Sequence, residues 1–216
     1  MFKRLCQSLF ETSIKSAYTR RFKEKGAKAE GVFWASQVSQ KARFEQVLAD
    51  MKAERGSTRF SLADIGCGYG ALFDYIRSTP AWQKIDYYGV DITPEMVSYC
   101  KREYPTDKYR FSLGRVSKHP VDFAVFVGTF NLCHTDNYPL WEDYILRQLA
   151  ASWARVRHGL ILNITSLEIA TINNHIFYVR PDAFANKLAS RFGPVNMTPT
   201  QFVPQDTTYV ISKDIS

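Results

Sequence analysis

The chain has 216 residues, 45% of them hydrophobic, and a formal net charge of +7. That length suits one domain with a terminal extension, and the apolar share is enough for a core. No run of about 18 apolar residues occurs, so no membrane span is expected. The four cysteines (Cys6, Cys67, Cys100, Cys133) are scattered with no CxxC pair. They fit reduced thiols of a cytoplasmic protein better than a disulfide framework or a metal site.

The charge is uneven. Residues 1–30 hold eight Lys or Arg against three acids. A solvated basic helix is one reading, and attraction to nucleic acid or an anionic substrate is the other. Met1–Phe10 lacks the long apolar stretch and small-residue cleavage site of a targeting peptide.

In chain order, loose helical periodicity covers Phe2 to Phe22. A second helix is predicted from Ala35 to Arg55, with Phe44, Val47, Leu48 and Met51 facing a core. Residues 1–57 thus read as a basic helical extension or lid, and 58–216 as the main domain. Gly56-Ser57-Thr58 breaks the pattern. Strands and helices then alternate. Phe60–Ile65 is a strand ending in glycines, and Ala71–Ser78 a helix. Ile85–Asp91 is a second strand. Thr93 is placed to cap the next helix, with Pro94 at its first position. Tyr109–Leu113 is a short strand, and Val121–Val127 reads as a strand buried on both faces. Leu140–Val156 is helical, with Trp141, Ile145, Leu149 and Trp153 on one face. Leu160–Thr165 is a buried strand and Pro181–Phe192 a helix. Val195–Val203 and Thr207–Ser212 alternate as an antiparallel hairpin. The alternation predicts an α/β fold, mainly parallel, with helices on both faces. Ligands of such sheets bind beyond the carboxyl ends of strands, where strand order reverses.

The first strand leads into LADIGCGYG. Glycine allows positive φ and close approach of a ligand to the main chain. The stretch can be parsed as GxGxxG/A, the dinucleotide fingerprint. It can also be parsed as Asp64-x-Gly66-x-Gly68-x-Gly70, which suits a ligand carrying an ammonium group and a thioether chain. Asp91, in YYGVDITPEMV, ends the second strand about 20–25 residues on, where a carboxylate binds ribose hydroxyls. Both parses want that acid.

LADIGCGYGALF and YYGVDITPEMV resemble the first two motifs of class I S-adenosylmethionine-dependent methyltransferases. The order of elements agrees over residues 58–213. FWASQVSQKARFE and VFVGTFNLC also resemble a poorly characterised bacterial group of that superfamily. The resemblance implies a Rossmann-like, seven-stranded, mostly parallel sheet with an antiparallel C-terminal hairpin strand. It implies S-adenosylmethionine as cofactor and in-line transfer of its methyl group to an acceptor. Asp64, Gly66, Gly68 and Gly70 would line the methionine end. Asp91 would bind the ribose and Ile92 would lie against the adenine. Gly114-Arg115-Val116 would lie near the adenine edge. Many relatives carry an acid or amide there, and this stretch has neither.

Gly128, Thr129, Phe130 and Asn131 follow the fourth strand, where the acceptor would enter. His134 is the candidate general base there and Asn131 the second catalytic candidate; a polar loop histidine is the alternative. Trp34 is read as a lid or core aromatic. Arg43 is read as partner to the cofactor carboxylate or as a surface ion pair. The helix carrying Trp34, Gln40 and Arg43 is the expected lid. The expected acceptor is a small molecule, with RNA or protein as alternatives through the basic N-terminus. FNLC stands where base-methylating DNA enzymes carry an NPPY-like motif. An aminopropyltransferase, a non-catalytic cofactor-binding subunit and a nicotinamide dehydrogenase are the remaining alternatives.

Overall fold

The computed structural model describes residues 2–200 and 203–213, with side chains from Gln7 onward. Helix α1 (Phe2–Lys25) leads through a 3-10 turn (Ala29–Val32) to α2 (Gln37–Arg55). The chain then runs β1 (Ser61–Ile65), α3 (Ala71–Ser78), β2 (Asp86–Asp91), α4 (Pro94–Glu103), β3 (Phe111–Leu113) and β4 (Val121–Val127). It continues with α5 (Tyr138–Trp153), β5 (Val156–Thr165), β6 (Thr171–Asn173), β7 (Ile176–Tyr178), α6 (Pro181–Phe192), β8 (Val195–Pro199) and β9 (Asp206–Ser212).

Seven strands form one sheet in the order β3-β2-β1-β4-β5-β9-β8. The first five are parallel; β9 lies antiparallel between β5 and β8. This is the expected α/β fold, with its hairpin strand at the C-terminus. The order reverses between β1 and β4, so a crevice opens above their carboxyl ends.

Both faces are covered. On one face Phe44 and Leu48 of α2, Leu72 and Ile76 of α3, and Val97 of α4 pack into one apolar cluster with Leu62 and Val125. On the other, Trp141, Ile145 and Leu149 of α5 and Leu188 of α6 pack with Phe126 and Leu160, and Phe10 of α1 joins them. These spacings put one helical face inward, as the sequence predicts. Trp141 is fully buried, and its Nε1 donates to the Phe130 carbonyl at 3.1 Å. Replacing it by Ala would cost about 3–5 kcal/mol and unpin the loop after β4.

Local chemistry sets the helix ends. Ser36 Oγ accepts from Ser39 N at 3.1 Å at the start of α2, and Gly56, at φ 59°, closes it. Thr93 departs from expectation, because its side chain makes no capping bond at α4. Asp91 Oδ1 takes the Thr93 amide instead, at 2.8 Å.

Several boundaries also differ, and α2 begins at Gln37, so Trp34 lies in the loop before the helix expected to carry it. Helix α5 ends at Trp153, and β5 begins at Val156, where its pairing with β4 at Val121 starts. Strand β8 stops at Pro199, and residues 201 and 202 of the expected strand lie outside the described residues. The β6–β7 hairpin is unexpected. Asn174 and His175 turn it at φ 48° and 62°, a two-residue turn that glycine usually supplies, so it carries no glycine signal.

Candidate active site

The turn after β1 hangs on the end of β2. Gly66 N and Cys67 N both donate to the Val90 carbonyl, at 2.7 and 3.1 Å. Gly66 has φ 83°, and a Cβ there would stand 2.7 Å from Thr129 Cγ2. Only glycine meets both conditions. The same tightness brings the ends of β1, β2 and β4 together.

The two acids found in the sequence meet at this turn. Asp91 Oδ2 accepts from Gly68 N at 2.9 Å, so the end of β2 grips the glycine loop directly. Burial raises the Asp91 pKa, and the amides of Thr93 and Gly68 oppose the rise. Asp64 is also buried and accepts from Tyr87 Oη at 2.7 Å. Burial pushes its carboxyl up to about 7, against the Tyr87 hydrogen bond and with help from the Asp91 charge. A carboxylate so poorly solvated favours a cation beside it.

Above the turn lies a cavity of about 990 Å³, counting its open mouth. Asp64, Gly66, Gly68, Asp91, Ile92, Arg115, Gly128 and Trp34 all line it. Gly70 lies outside the lining and instead begins α3 at φ 87°. The rest of the wall is mostly apolar, with Val32, Phe44, Phe126, Phe130 and Tyr144 among it.

Helix α1 crosses the cavity from one helical layer to the other. Phe10 meets Trp141 and Tyr144 edge-on at 5.3 and 5.7 Å. Glu11, buried, is gripped through both its oxygens by Arg115. Ile14 and Tyr18 line the cavity, and Thr19 Oγ1 donates to Glu95 of α4 at 3.0 Å. Phe22 meets Tyr99 of α4 at 5.3 Å. The 3-10 turn follows, with Val32 Cγ1 3.4 Å from where a Gly68 Cβ would stand.

Trp34 is wedged between Arg43 and Gly128. The guanidinium carbon lies 4.4 Å from the indole centroid. A Cβ on Gly128, φ 65°, would come within 2.6 Å of Trp34 Cη2. Arg43 itself does not line the cavity; it pairs with buried Asp206, Nε to Oδ2 2.6 Å. Gln40 lines the cavity, and its Oε1 accepts from Tyr69 Oη at 3.0 Å.

The two candidate catalytic residues lie outside the cavity lining. Asn131 Oδ1 accepts from Thr165 N at 3.1 Å, and its carbonyl accepts from Phe177 N, which ties the loop after β4 to β5 and β7. His134 Nδ1 pairs with Ser13 Oγ at 2.8 Å, and its buried Nε2 has no partner among the described residues. Burial lowers its pKa, with the nearby His175 adding to the effect.

Ile14, Tyr18, Tyr144 and Gln148 line the cavity without having been singled out in the sequence. The signal for α1 was faint, because its basic residues masked an apolar stripe. Asp206 was equally hidden, since it reaches Arg43 across 163 positions of sequence. Among the described residues no group of His, Cys, Asp and Glu is set to hold a metal, and no helix is long and apolar enough to cross a membrane.

Known proteins share this architecture. A family model described as "Methyltransferase domain" matches residues 63–143, from β1 into α5. The Mycobacterium tuberculosis (strain ATCC 25618 / H37Rv) protein named "Putative methyltransferase Rv1506c" is 30% identical over 146 residues, which is 66% of this chain and 86% of that protein. Among solved structures, magnesium protoporphyrin IX methyltransferase from Synechocystis PCC 6803 with bound SAH superposes with a TM-score of 0.60 at 15% identity, over 94% of this chain and 98% of that one. The methyltransferase domain of bacterial CtHen1-C gives a TM-score of 0.58 at 17% identity, over 82% and 98%. These likenesses establish the fold. With the relative's identity and the two motifs converging on one cavity, the chain belongs to the class I S-adenosylmethionine-dependent methyltransferase superfamily.

Proposed function

We propose that the chain binds S-adenosylmethionine in this cavity and methylates a small-molecule acceptor. One observation carries the reading: the Asp91 carboxylate is hydrogen-bonded to Gly68 N, so that both motifs form one rim. The residues fit such a cofactor. Bare backbone at Gly66 and Gly68 lets its chain lie close, and Asp64 stands ready for its ammonium. Asp91 keeps lone pairs for ribose hydroxyls, and Ile92 gives the base an apolar neighbour. The Synechocystis enzyme was solved with SAH and also with SAM, and a Micromonospora echinaspora amino pentose methyltransferase of like fold with SAM.

When bound, the cofactor supplies a sulfonium whose methyl group is already activated for transfer. The protein's work is to hold the acceptor in line with that methyl and exclude water. Positioning of this kind is worth up to roughly 7–11 kcal/mol. Trp34, backed by Arg43, walls one side beside Gly128. Tyr18 and Ile14 of α1, with Val32, close the other, so residues 1–57 act as the lid through α1 as much as α2. A base is needed only for an acceptor that starts protonated. His134 is the candidate read from the sequence, its pKa lowered by burial, but it stands outside the cavity lining and would reach an acceptor only if the loop that Asn131 holds moved.

A small acceptor is favoured because α1 lies over the cavity and leaves it an apolar wall. The basic side chains of α1 support RNA less well. Lys15, Arg20 and Lys23 share their shallow groove with Glu24 and Glu95, which would repel phosphates.

The test is calorimetric binding of S-adenosylmethionine, S-adenosylhomocysteine and NAD to wild type and Asp91→Ala. Micromolar binding of the first two, lost in the variant, is expected. Binding of NAD alone would overturn the reading. An RNA acceptor would show itself by binding that weakens steeply with added salt.

A further inference from the structure

Gln148 brings a carboxamide to the cavity wall from α5. It is 6% exposed and lines the cavity, yet its carboxamide makes no hydrogen bond with the described residues. Its amide atoms open onto the cavity rather than into packed protein, so a ligand there meets a free donor and a free acceptor. Among the described residues the Tyr18 and Tyr144 hydroxyls of the wall also make no hydrogen bond, but each is a single hydroxyl, whereas several other polar groups are taken. Gln40 pairs with Tyr69, Thr129 Oγ1 donates to the Ile65 carbonyl at 2.8 Å, and Arg115 grips Glu11.

Its position says what it faces. Gln148 stands one turn of α5 beyond Tyr144, on the same helical face. Tyr144 lies within electrostatic reach of Glu11 and Arg115. The wall bearing Gln148 therefore continues from the loop after β3, where Gly114 and Arg115 bound the cavity beside Ile92. That loop has no acid or amide of its own. A carboxamide presents one acceptor and one donor side by side. The 6-aminopurine edge presents the complement: an amino donor next to a ring-nitrogen acceptor. In DNA recognition glutamine pairs with adenine N6 and N7 in this two-bond manner.

We propose that Gln148 reads the 6-amino group of the cofactor's adenine, taking from α5 the contact that the loop after β3 lacks. The inference rests on the cofactor reading above. Gln148 is in this sense a specificity residue, selecting aminopurine over other bases, and takes no part in methyl transfer.

The experiment is calorimetric. S-adenosylhomocysteine and its analogue with unsubstituted purine, which lacks only the 6-amino group, are bound to wild type, Gln148→Leu and Gln148→Glu. Wild type should bind the analogue about tenfold more weakly, the fold-change of one buried hydrogen bond. Gln148→Leu should bind both ligands within about twofold of each other, again on the scale of one lost hydrogen bond. Gln148→Glu, whose carboxylate still accepts from the amino group, should keep the preference. Gln148→Met, of similar length, replaces the Leu variant should thermal melting show that one unfolded. If the apolar variant discriminates as wild type does, the inference is overturned while the cofactor reading stands. If wild type binds no S-adenosylhomocysteine, both fall.

Discussion

Arg43 donates from Nε to Asp206 Oδ2 at 2.6 Å, and Nη2 adds a second bond to the same oxygen. The two side chains are 8% and 0% exposed, so this is a buried ion pair joining α2 to the start of β9. The sequence left Arg43 between a ligand carboxylate and a surface ion pair; its partner in the structure is the chain's own buried Asp206. Arg43→Ala would strand a buried carboxylate, and a destabilisation of about 3–5 kcal/mol is expected. The double variant Arg43→Met, Asp206→Leu should recover most of that loss. Urea unfolding of the three proteins measures both. An Arg43→Ala variant as stable as wild type would free Arg43 for the ligand role.

Asp64 makes the cavity sensitive to pH. Its carboxyl titrates near 7 in the fold, above the ordinary value of about 3.9 expected when unfolded. The folded state therefore holds the proton more tightly. The stability this gives is full below the unfolded value and is lost as pH rises through 7. The ligand-free protein should melt at a lower temperature at pH 8 than at pH 6, with pH values bracketing that titration, and Asp64→Asn should flatten the difference. A cation bound beside Asp64 would favour its charged form. Binding of S-adenosylmethionine at pH 7 should then release up to about half a proton, measured as buffer-dependent heat. Equal heats in all buffers would remove Asp64 from the cation site.

Asp91→Asn should weaken S-adenosylmethionine binding by at least about 1 kcal/mol, or fivefold or more, the scale of a hydrogen bond to a charged group. The amide side chain also meets two main-chain N–H groups with only one acceptor, so the turn at Gly68 should loosen. Hydrogen exchange at Gly68 and Thr93 would report that loosening. Unchanged affinity with faster exchange would give Asp91 a purely structural role.

Gly128→Ala places a methyl where Trp34 now sits, in a backbone conformation that disfavours side chains. Either the indole or the loop after β4 must shift. Loss of cofactor affinity of tenfold or more is expected, with a change in Trp34 fluorescence, checked against a Trp34→Phe control. Wild-type affinity would show that this wall can give way freely.

Most of the fold was legible because its periodicities are strong. Val121–Val127 is a continuous apolar run, and the inward face of α5 repeats at helical spacing. The cofactor motifs were legible because close backbone approach demands glycine. Other features were silent for physical reasons. The contacts Glu11–Arg115 and Arg43–Asp206 join charges far apart in sequence, and any of many Arg and acids would have looked as suitable. Gln148 and Ser152 are polar positions on a mostly apolar face of α5, a pattern that a solvated edge also gives. The β6–β7 hairpin lacks the glycine that announces such turns.

The path of α1 has a kinetic consequence. It is fastened at one end by Phe10 and Glu11 and at the other by Thr19 and Phe22, while Ile14 and Tyr18 between them border the cavity. A nucleoside held beneath such a span leaves only when one fastening opens. Turnover would then be paced by departure of the spent cofactor rather than by chemistry. A burst of methylated product in the first cycle, followed by a slower steady state, is the signature of that arrangement.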